Sequence, residues 1–140
     1  MANISDCILL DFRQIHDERG SLTPVESRND IPFAIRRVFY LYDVPAGVER
    51  EGHAYKTLQQ VLIAISGRCA VHLDDGMNRR EVTLQHSHVG LYIPPMIWRR
   101  IDGFASGSMC LTLASDYYDE GDYYREYATF QRAVSVQTSG

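Results

Sequence analysis

From Cys7 to Ser115 the chain is a succession of short β-branched and aromatic runs, each stopped by a turn residue. Ile35-Arg-Arg-Val-Phe-Tyr-Leu-Tyr42 ends at Asp43-Val-Pro45, and Gln60-Val-Leu-Ile-Ala-Ile65 closes at Ser66-Gly67. Arg68 to Leu73 runs into Asp74-Asp75-Gly76, whose Asp-Gly step marks a hairpin, and Arg79 to Leu84 returns across it. Val89 to Ile93 stops at Pro94-Pro95, and Ser108 to Ser115 is the last such run. Many short strands at this spacing predict an all-β sandwich or barrel. After Glu120 the pattern changes, and Tyr124, Tyr127, Ala128 and Gln131 fall at helical spacing, predicting a short C-terminal helix over 120–134. No linker, repeat or low-complexity stretch interrupts residues 1–140, so a single domain is expected.

Composition narrows the function. At 45% hydrophobic and 23% charged, the 140 residues suit one ordinary globular core. A formal net charge of −4 argues against non-specific nucleic-acid binding. No apolar stretch is long enough to span a membrane, and the N-terminus lacks the basic and apolar regions of a signal peptide. Three widely separated cysteines, Cys7, Cys69 and Cys110, are expected as reduced, packed thiols in a cytoplasmic protein.

The candidate site lies in Gly47-x5-His53-x-Tyr55-x4-Gln60-x6-Gly67 and Pro94-x-Met96-x2-Arg99. Strand alternation puts His53 and Tyr55 on one face and Ala54 on the other, with Gly52 allowing a bend or a close approach. Taken alone, a His-x-Tyr pair is more often a core histidine beside a packed aromatic, and Arg99 a solvated charge. Together, the four residues offer a base, a phenol, an amide and a fixed positive charge. That set suits proton transfer on an anionic or carbonyl substrate. Arg36 and Arg37 lie within one apolar run, so one of them points inward and needs an anionic partner. Arg19 sits in Arg19-Gly-Ser-Leu22, which is either a plain turn or part of a diphosphate site. His86-Ser-His88 looks like a metal pair, but no third ligand accompanies it and a loop is the expectation.

The spacing of the four positions resembles the two motifs of the cupins, jelly-roll proteins that carry His, His, Glu and His there to bind a metal. Here the set reads His53, Tyr55, Gln60 and Arg99. A guanidinium has no lone pair for a cation, so no metal is expected. The chain further resembles the dTDP-4-keto-6-deoxyglucose 3,4-ketoisomerases over nearly its full length. The residues that carry this are Arg19-Gly-Ser-Leu22, Ile31-Pro-Phe33, Arg37-Val-Phe-Tyr40, Gly52-His-Ala-Tyr-Lys56, Gln60-Val-Leu62, Leu73-Asp-Asp-Gly76, Gly90-Leu-Tyr92, Trp98, Leu113-Ala-Ser-Asp-Tyr-Tyr-Asp119 and Asp122-Tyr123.

The resemblance implies a cupin jelly roll that uses no metal or organic cofactor. It also implies a homodimer, commonly with exchanged N-terminal strands, and a role in making 3-amino-3,6-dideoxy sugars. It implies a dTDP-linked keto-deoxysugar as ligand, with the ketone moved from C4 to C3 through an enediol. His53 would be the proton shuttle, with Tyr55 and Arg99 beside it in catalysis. Gln60, Arg19, Arg37, Tyr40, Tyr92 and Lys56 would contact the substrate.

Tyr55 departs from the family's second histidine. Arg99 takes one of two family options, and Arg19 matches a different subgroup, so features of enzymes with opposite C4 outcomes are mixed. Two other readings stay open. One is a 3,5-epimerase, which also pairs a histidine base with a tyrosine acid. The other is a non-catalytic nucleotide-sugar module.

Overall fold

The computed structural model describes residues 2–48 and 50–139, with side chains as far as residue 136. Among the described residues twelve strands and one α-helix are formed, besides two single 3-10 turns: β1 Ile8–Asp11, β2 Ile15–Asp17, β3 Gly20–Leu22, β4 Arg37–Leu41, β5 Ala54–Tyr55, β6 Gln60–Ser66, β7 Cys69–Asp74, β8 Arg79–Leu84, β9 Val89–Ile93, β10 Trp98–Asp102, β11 Met109–Ala114, β12 Tyr123–Tyr124 and α1 Tyr127–Ser139. A five-stranded sheet runs β1-β9-β6-β11-β4, and a second runs β10-β7-β8. An antiparallel bridge between His53 and Arg99 joins the β12-β5 pair to β10, extending the second sheet. Every strand pairing is antiparallel, and the two sheets face each other as a jelly roll. The fold class read from the sequence is the one observed.

Strand alternation builds the core. Leu62 and Ala64 of β6 and Cys110 of β11 meet Val71 and Leu73 of β7 and Val82 and Leu84 of β8 between the sheets. Residues of opposite parity, Val61, Ile63 and Leu113, face outward and are covered by Phe12, Ile31 and Phe33. A third cluster seats α1, with Phe130 and Val134 on Ala54 and Met96. No helix among the described residues is long and apolar enough to cross a membrane.

The tail differs from the predicted helix over 120–134. Helix α1 begins only at Tyr127, after a single tight turn at Glu120–Asp122 and the strand β12. Tertiary hydrogen bonds overrule the local preference. The Asp122 carboxylate accepts from Thr57 N–H and Oγ1–H and from Leu58 N–H, at 3.0, 2.8 and 3.1 Å. Its backbone carbonyl accepts from Lys56 N–H at 2.8 Å. This stretch is therefore bound to the chain that follows β5 and cannot coil.

Candidate active site

The facing sheets leave a cavity of about 520 Å³, bordered by His53, Tyr55, Gln60, Arg99, Tyr123 and Arg125 among others. That volume is in the range of small-molecule sites. All four motif positions border it. His53 and Arg99 are set by adjacent backbones, Tyr55 by β5, and Gln60 by the first residue of β6. Ala54, between His53 and Tyr55, is fully buried on the opposite face against α1. What approaches Gly52 is the indole of Trp98: a Cβ built there would lie 2.5 Å from Nε1.

Arg99 is 1% exposed. Its Nε and Nη2 donate to Ile97 O at 3.2 and 3.0 Å, and Nη1 donates to Gln60 Oε1 at 2.5 Å. Among the described residues no carboxylate pairs with it. A guanidinium has five N–H groups, so these three bonds leave two unused. Burial lowers its pKa to about 10, which still leaves it charged at neutral pH. An unpaired buried cation is costly, so the site is built to receive an anion or a developing oxyanion.

His53 is half-buried, its ring centroid 5.1 Å from that of Tyr55 and 5.6 Å from that of Tyr123. Burial first and the Arg99 charge second push its pKa down to about 3. The Glu51 backbone works against that shift as a hydrogen-bond partner without reversing it. The imidazole is neutral at physiological pH. A ring N–H turned to Glu51 leaves the second nitrogen's lone pair for the cavity. Tyr55, 2% exposed, is held well above the usual phenol range by burial, and its Oη–H donates to Tyr123 Oη at 3.2 Å.

These donors do not fit a metal ion. Arg99 supplies no lone pair, Gln60 Oε1 is already bonded to Arg99, and Tyr55 resists ionisation.

The remaining candidates lie elsewhere. Strand parity turns Phe39 and Leu41 of β4 into the cavity and Tyr40 outward, where it is 54% exposed and stacks on Tyr42. Tyr92 also faces outward, its Oη–H donating to Gln59 Oε1 at 2.7 Å. Lys56 lies over the Tyr124 ring, outside the cavity. Arg37 lines a recess of about 30 Å³ behind Tyr55 and Tyr123, and covers the Phe39 ring at 4.9 Å. Arg19 sits at the β2–β3 turn with its side chain 86% exposed, paired with Asp17. His86 and His88 lie in the loop before β9, their rings stacked at 5.5 Å.

Sequence reasoning missed Arg50, Tyr123 and Arg125 at the cavity. Only the dense aromatic tail hinted at Tyr123, and nothing local marked the arginines. A second groove, of about 500 Å³, lies outside β10-β7-β8 between His72, Arg79, Trp98 and Tyr127. Several of its polar groups are already partnered: Arg79 with Asp74, His72 and Arg100 with Asp102, and Arg80 with the Cys7 carbonyl. The interior cavity, with its unpaired cation and neutral imidazole, is the better reaction site.

Comparison with known proteins agrees with this geometry. Residues 5–135 match the family model FdtA, described as WxcM-like, C-terminal. The chain is 43% identical over 127 residues to a TDP-4-oxo-6-deoxy-alpha-D-glucose-3,4-oxoisomerase of Aneurinibacillus thermoaerophilus, covering 91% of each protein. Among solved structures it resembles the WlaRB TDP-quinovose 3,4-ketoisomerase of Campylobacter jejuni, with TM-score 0.89, 43% identity and 92% and 99% of the two chains covered. It also resembles a variant of the 3,4-ketoisomerase QdtA of Thermoanaerobacterium thermosaccharolyticum in complex with TDP-4-keto-6-deoxyglucose, with TM-score 0.93, 37% identity and 96% and 98% covered. Fold, cavity and likeness converge: the chain belongs to the FdtA, WxcM-like C-terminal family of TDP-sugar 3,4-ketoisomerases.

Proposed function

We propose that the protein isomerises a TDP-linked 4-keto-6-deoxyhexose, moving the ketone from C4 to C3 through an enediol, on the way to a 3-amino-3,6-dideoxy sugar. The observation that carries this reading is the pairing, in one cavity, of the neutral imidazole of His53 with the guanidinium of Arg99, which no carboxylate among the described residues meets. The C4 ketone acidifies the C3 proton. His53 takes that proton and returns it to C4, while the unused N–H groups of Arg99 stabilise the enediolate oxygen. Negative charge beside Arg99 also offsets the cation that depresses His53, so the base strengthens as the intermediate forms. Gln60 holds Arg99 in place.

At the cavity border Arg50 is the cation suited to the diphosphate, Arg125 being paired with Glu120. Arg37 supports the wall behind Tyr55, and Arg19 serves a substrate only from a neighbouring subunit. Tyr40, Tyr92 and Lys56, being outside the cavity, would likewise contact substrate only across a subunit boundary. We take the protein to act as a cytoplasmic homodimer of single-domain chains. The exposed Ile15, Leu22, Val38, Tyr40 and Ile65 support such an interface, and three buried free cysteines suit a reducing compartment.

The 3,5-epimerase reading has less support, because the relatives at 37–43% identity are ketoisomerases. The test is incubation with TDP-4-keto-6-deoxyglucose in D₂O, following the 3-keto product and deuterium at C3 by NMR. Product with C3 exchange is expected, and His53→Asn should lose roughly 10²–10⁴ of the rate. Deuterium at C5 instead would point to epimerisation, and tight binding without exchange to a non-catalytic module.

A further inference from the structure

Moving a ketone from C4 to C3 requires two proton transfers, one between carbons and one between oxygens. His53 accounts for the first. The second must take a proton from the C3 hydroxyl to the C4 oxygen, and a single phenol in place of a histidine does this poorly. A neutral imidazole has an acceptor on one nitrogen and a donor on the other, whereas a phenol acts through one oxygen. Tyr55 is in addition almost wholly buried and hard to ionise.

The structure gives Tyr55 a second phenol. Tyr123 is its direct cross-strand partner in the β5–β12 pair, with ring centroids 4.6 Å apart and hydroxyl oxygens 3.2 Å apart. Both border the cavity. Tyr123 is the less buried of the two, and its ring is held on several sides: by His53 at 5.6 Å, by Tyr118 at 5.8 Å, and by the Arg125 guanidinium 4.1 Å from its centre. Arg125 is fixed in turn by two hydrogen bonds to Glu120, at 2.5 and 2.7 Å. Gln60 also acts on the Tyr55 phenol as a hydrogen-bond partner that favours its ionised form. Because Tyr55 donates its own proton to Tyr123, the hydroxyl proton of Tyr123 is the one left for the cavity.

We infer that Tyr55 and Tyr123 form a two-phenol relay that carries the hydroxyl proton of the sugar from O3 to O4 while His53 carries the carbon-bound proton from C3 to C4. This rests on the ketoisomerase reading and assigns Tyr123 a role in it. Vicinal oxygens of a pyranose stand about one hydrogen-bond length apart, which the two phenol oxygens match. The Tyr55 oxygen accepts the O3 proton as its own proton passes to Tyr123, whose proton passes to O4. As His53 takes the C3 proton, the C3–H electrons become the C3–C4 π bond of the enediol, and the C4 carbonyl π pair forms the new O4–H bond. Electrons of the broken O3–H bond become the C3 carbonyl π bond. The enediol π electrons form the new C4–H bond with the proton from His53. Both phenols end neutral, and no oxidant or reductant is consumed.

The test compares wild type, Tyr123→Phe, Tyr55→Phe, the double variant, and Tyr123→Phe combined with Tyr55→His. Each is given TDP-4-keto-6-deoxyglucose in D₂O, with TDP affinity and circular dichroism as checks on folding. Tyr123→Phe is expected to slow product formation by roughly 10² while C3 deuteration continues, so the ratio of exchange to product rises. The double Phe variant should be no worse than either single one, as for parts of one device. Histidine at position 55, able to relay alone, should restore product formation without Tyr123. An unchanged exchange-to-product ratio in Tyr123→Phe, or losses that multiply in the double variant, would overturn the relay. If Tyr123→Phe fails to fold, Tyr55→Phe and Tyr55→His with Tyr123 intact decide it: the first must raise the ratio and the second must keep it low. A wild type giving neither exchange nor product removes the ketoisomerase reading itself, and the relay with it.

Discussion

His53 and Arg99 are tied backbone to backbone: His53 N–H donates to Arg99 O at 3.0 Å, and Arg99 N–H donates to His53 O at 2.9 Å. The base and the cation that depresses it are therefore spaced by a β-bridge, and side-chain rotamers cannot relax their repulsion away. A protonated His53 would place a second positive charge beside Arg99 in a site that already desolvates both. Neutral imidazole with charged guanidinium is the stable combination.

Removing the Arg99 charge should therefore release His53. In Arg99→Met the His53 pKa is expected to move upward, toward the ordinary histidine value, as followed by NMR titration of the ring protons. Turnover should fall by roughly 10²–10³ through loss of oxyanion stabilisation. A His53 titration that does not move would show that burial alone sets its state.

The depressed pKa of His53 also predicts how stability depends on pH. Unfolded, the ring titrates at its ordinary 6.5, and folded at about 3. Between those values the unfolded chain binds the extra proton, so this group's contribution is present above 6.5 and is lost as pH falls toward 3. The slope is on the order of 1 kcal/mol per pH unit at most. Urea midpoints measured from pH 7 to 4 should fall faster for wild type than for His53→Asn. The kcat/KM profile should show no limb near 6.5 from this histidine.

Gly52 is needed for space. Its φ is ordinary, but Trp98 fills the position of a side chain, held there by Tyr127 and Phe130 at 5.4 and 5.8 Å between ring centroids. Gly52→Ala must push the indole or the His53 backbone aside, at about 1–3 kcal/mol. Trp98 is the chain's one tryptophan, so emission reports its shift directly. Unfolding and fluorescence identical to wild type would contradict the packing described.

The thiols should be silent in the native state. Cys7, Cys69 and Cys110 are each 1% exposed, and burial pushes Cys7 up to about 11. A disulfide reagent should label none of the three at pH 8 without denaturant, and all three once urea is added. Fast labelling of the folded protein would be the contrary result.

How far the sequence could be read depended on whether the deciding contact was local. Turn residues and strand parity gave the all-β class, and the runs Arg79–Leu84 and Val89–Ile93 form strands with those bounds. Spacing also brought His53, Tyr55, Gln60 and Arg99 to one cavity, because each sits at a fixed offset on a strand or bridge. Tyr40, given to the substrate by resemblance, lies outside the cavity because β4 turns Phe39 and Leu41 inward. The pairing of β4 with β11, which sets Phe39 opposite Thr112 and Tyr40 opposite Leu111, fixes that alternation.

The tail shows the other limit. Residues 120–126 have helix-tolerant composition, yet the Asp122 carboxylate caps the chain after β5 and Tyr123 pairs with Tyr55, 68 residues away. By itself, the sequence determined the all-β class and the chemical types at the four motif positions, since both follow from periodicity and residue chemistry, and resemblance narrowed the class to a jelly roll. The tertiary structure decided that Arg99 is buried with no carboxylate among the described residues, that His53 is neutral, and that Tyr55 has a phenol partner. Desolvation and cross-strand pairing are properties of neighbours distant in the chain, and no local pattern encodes them.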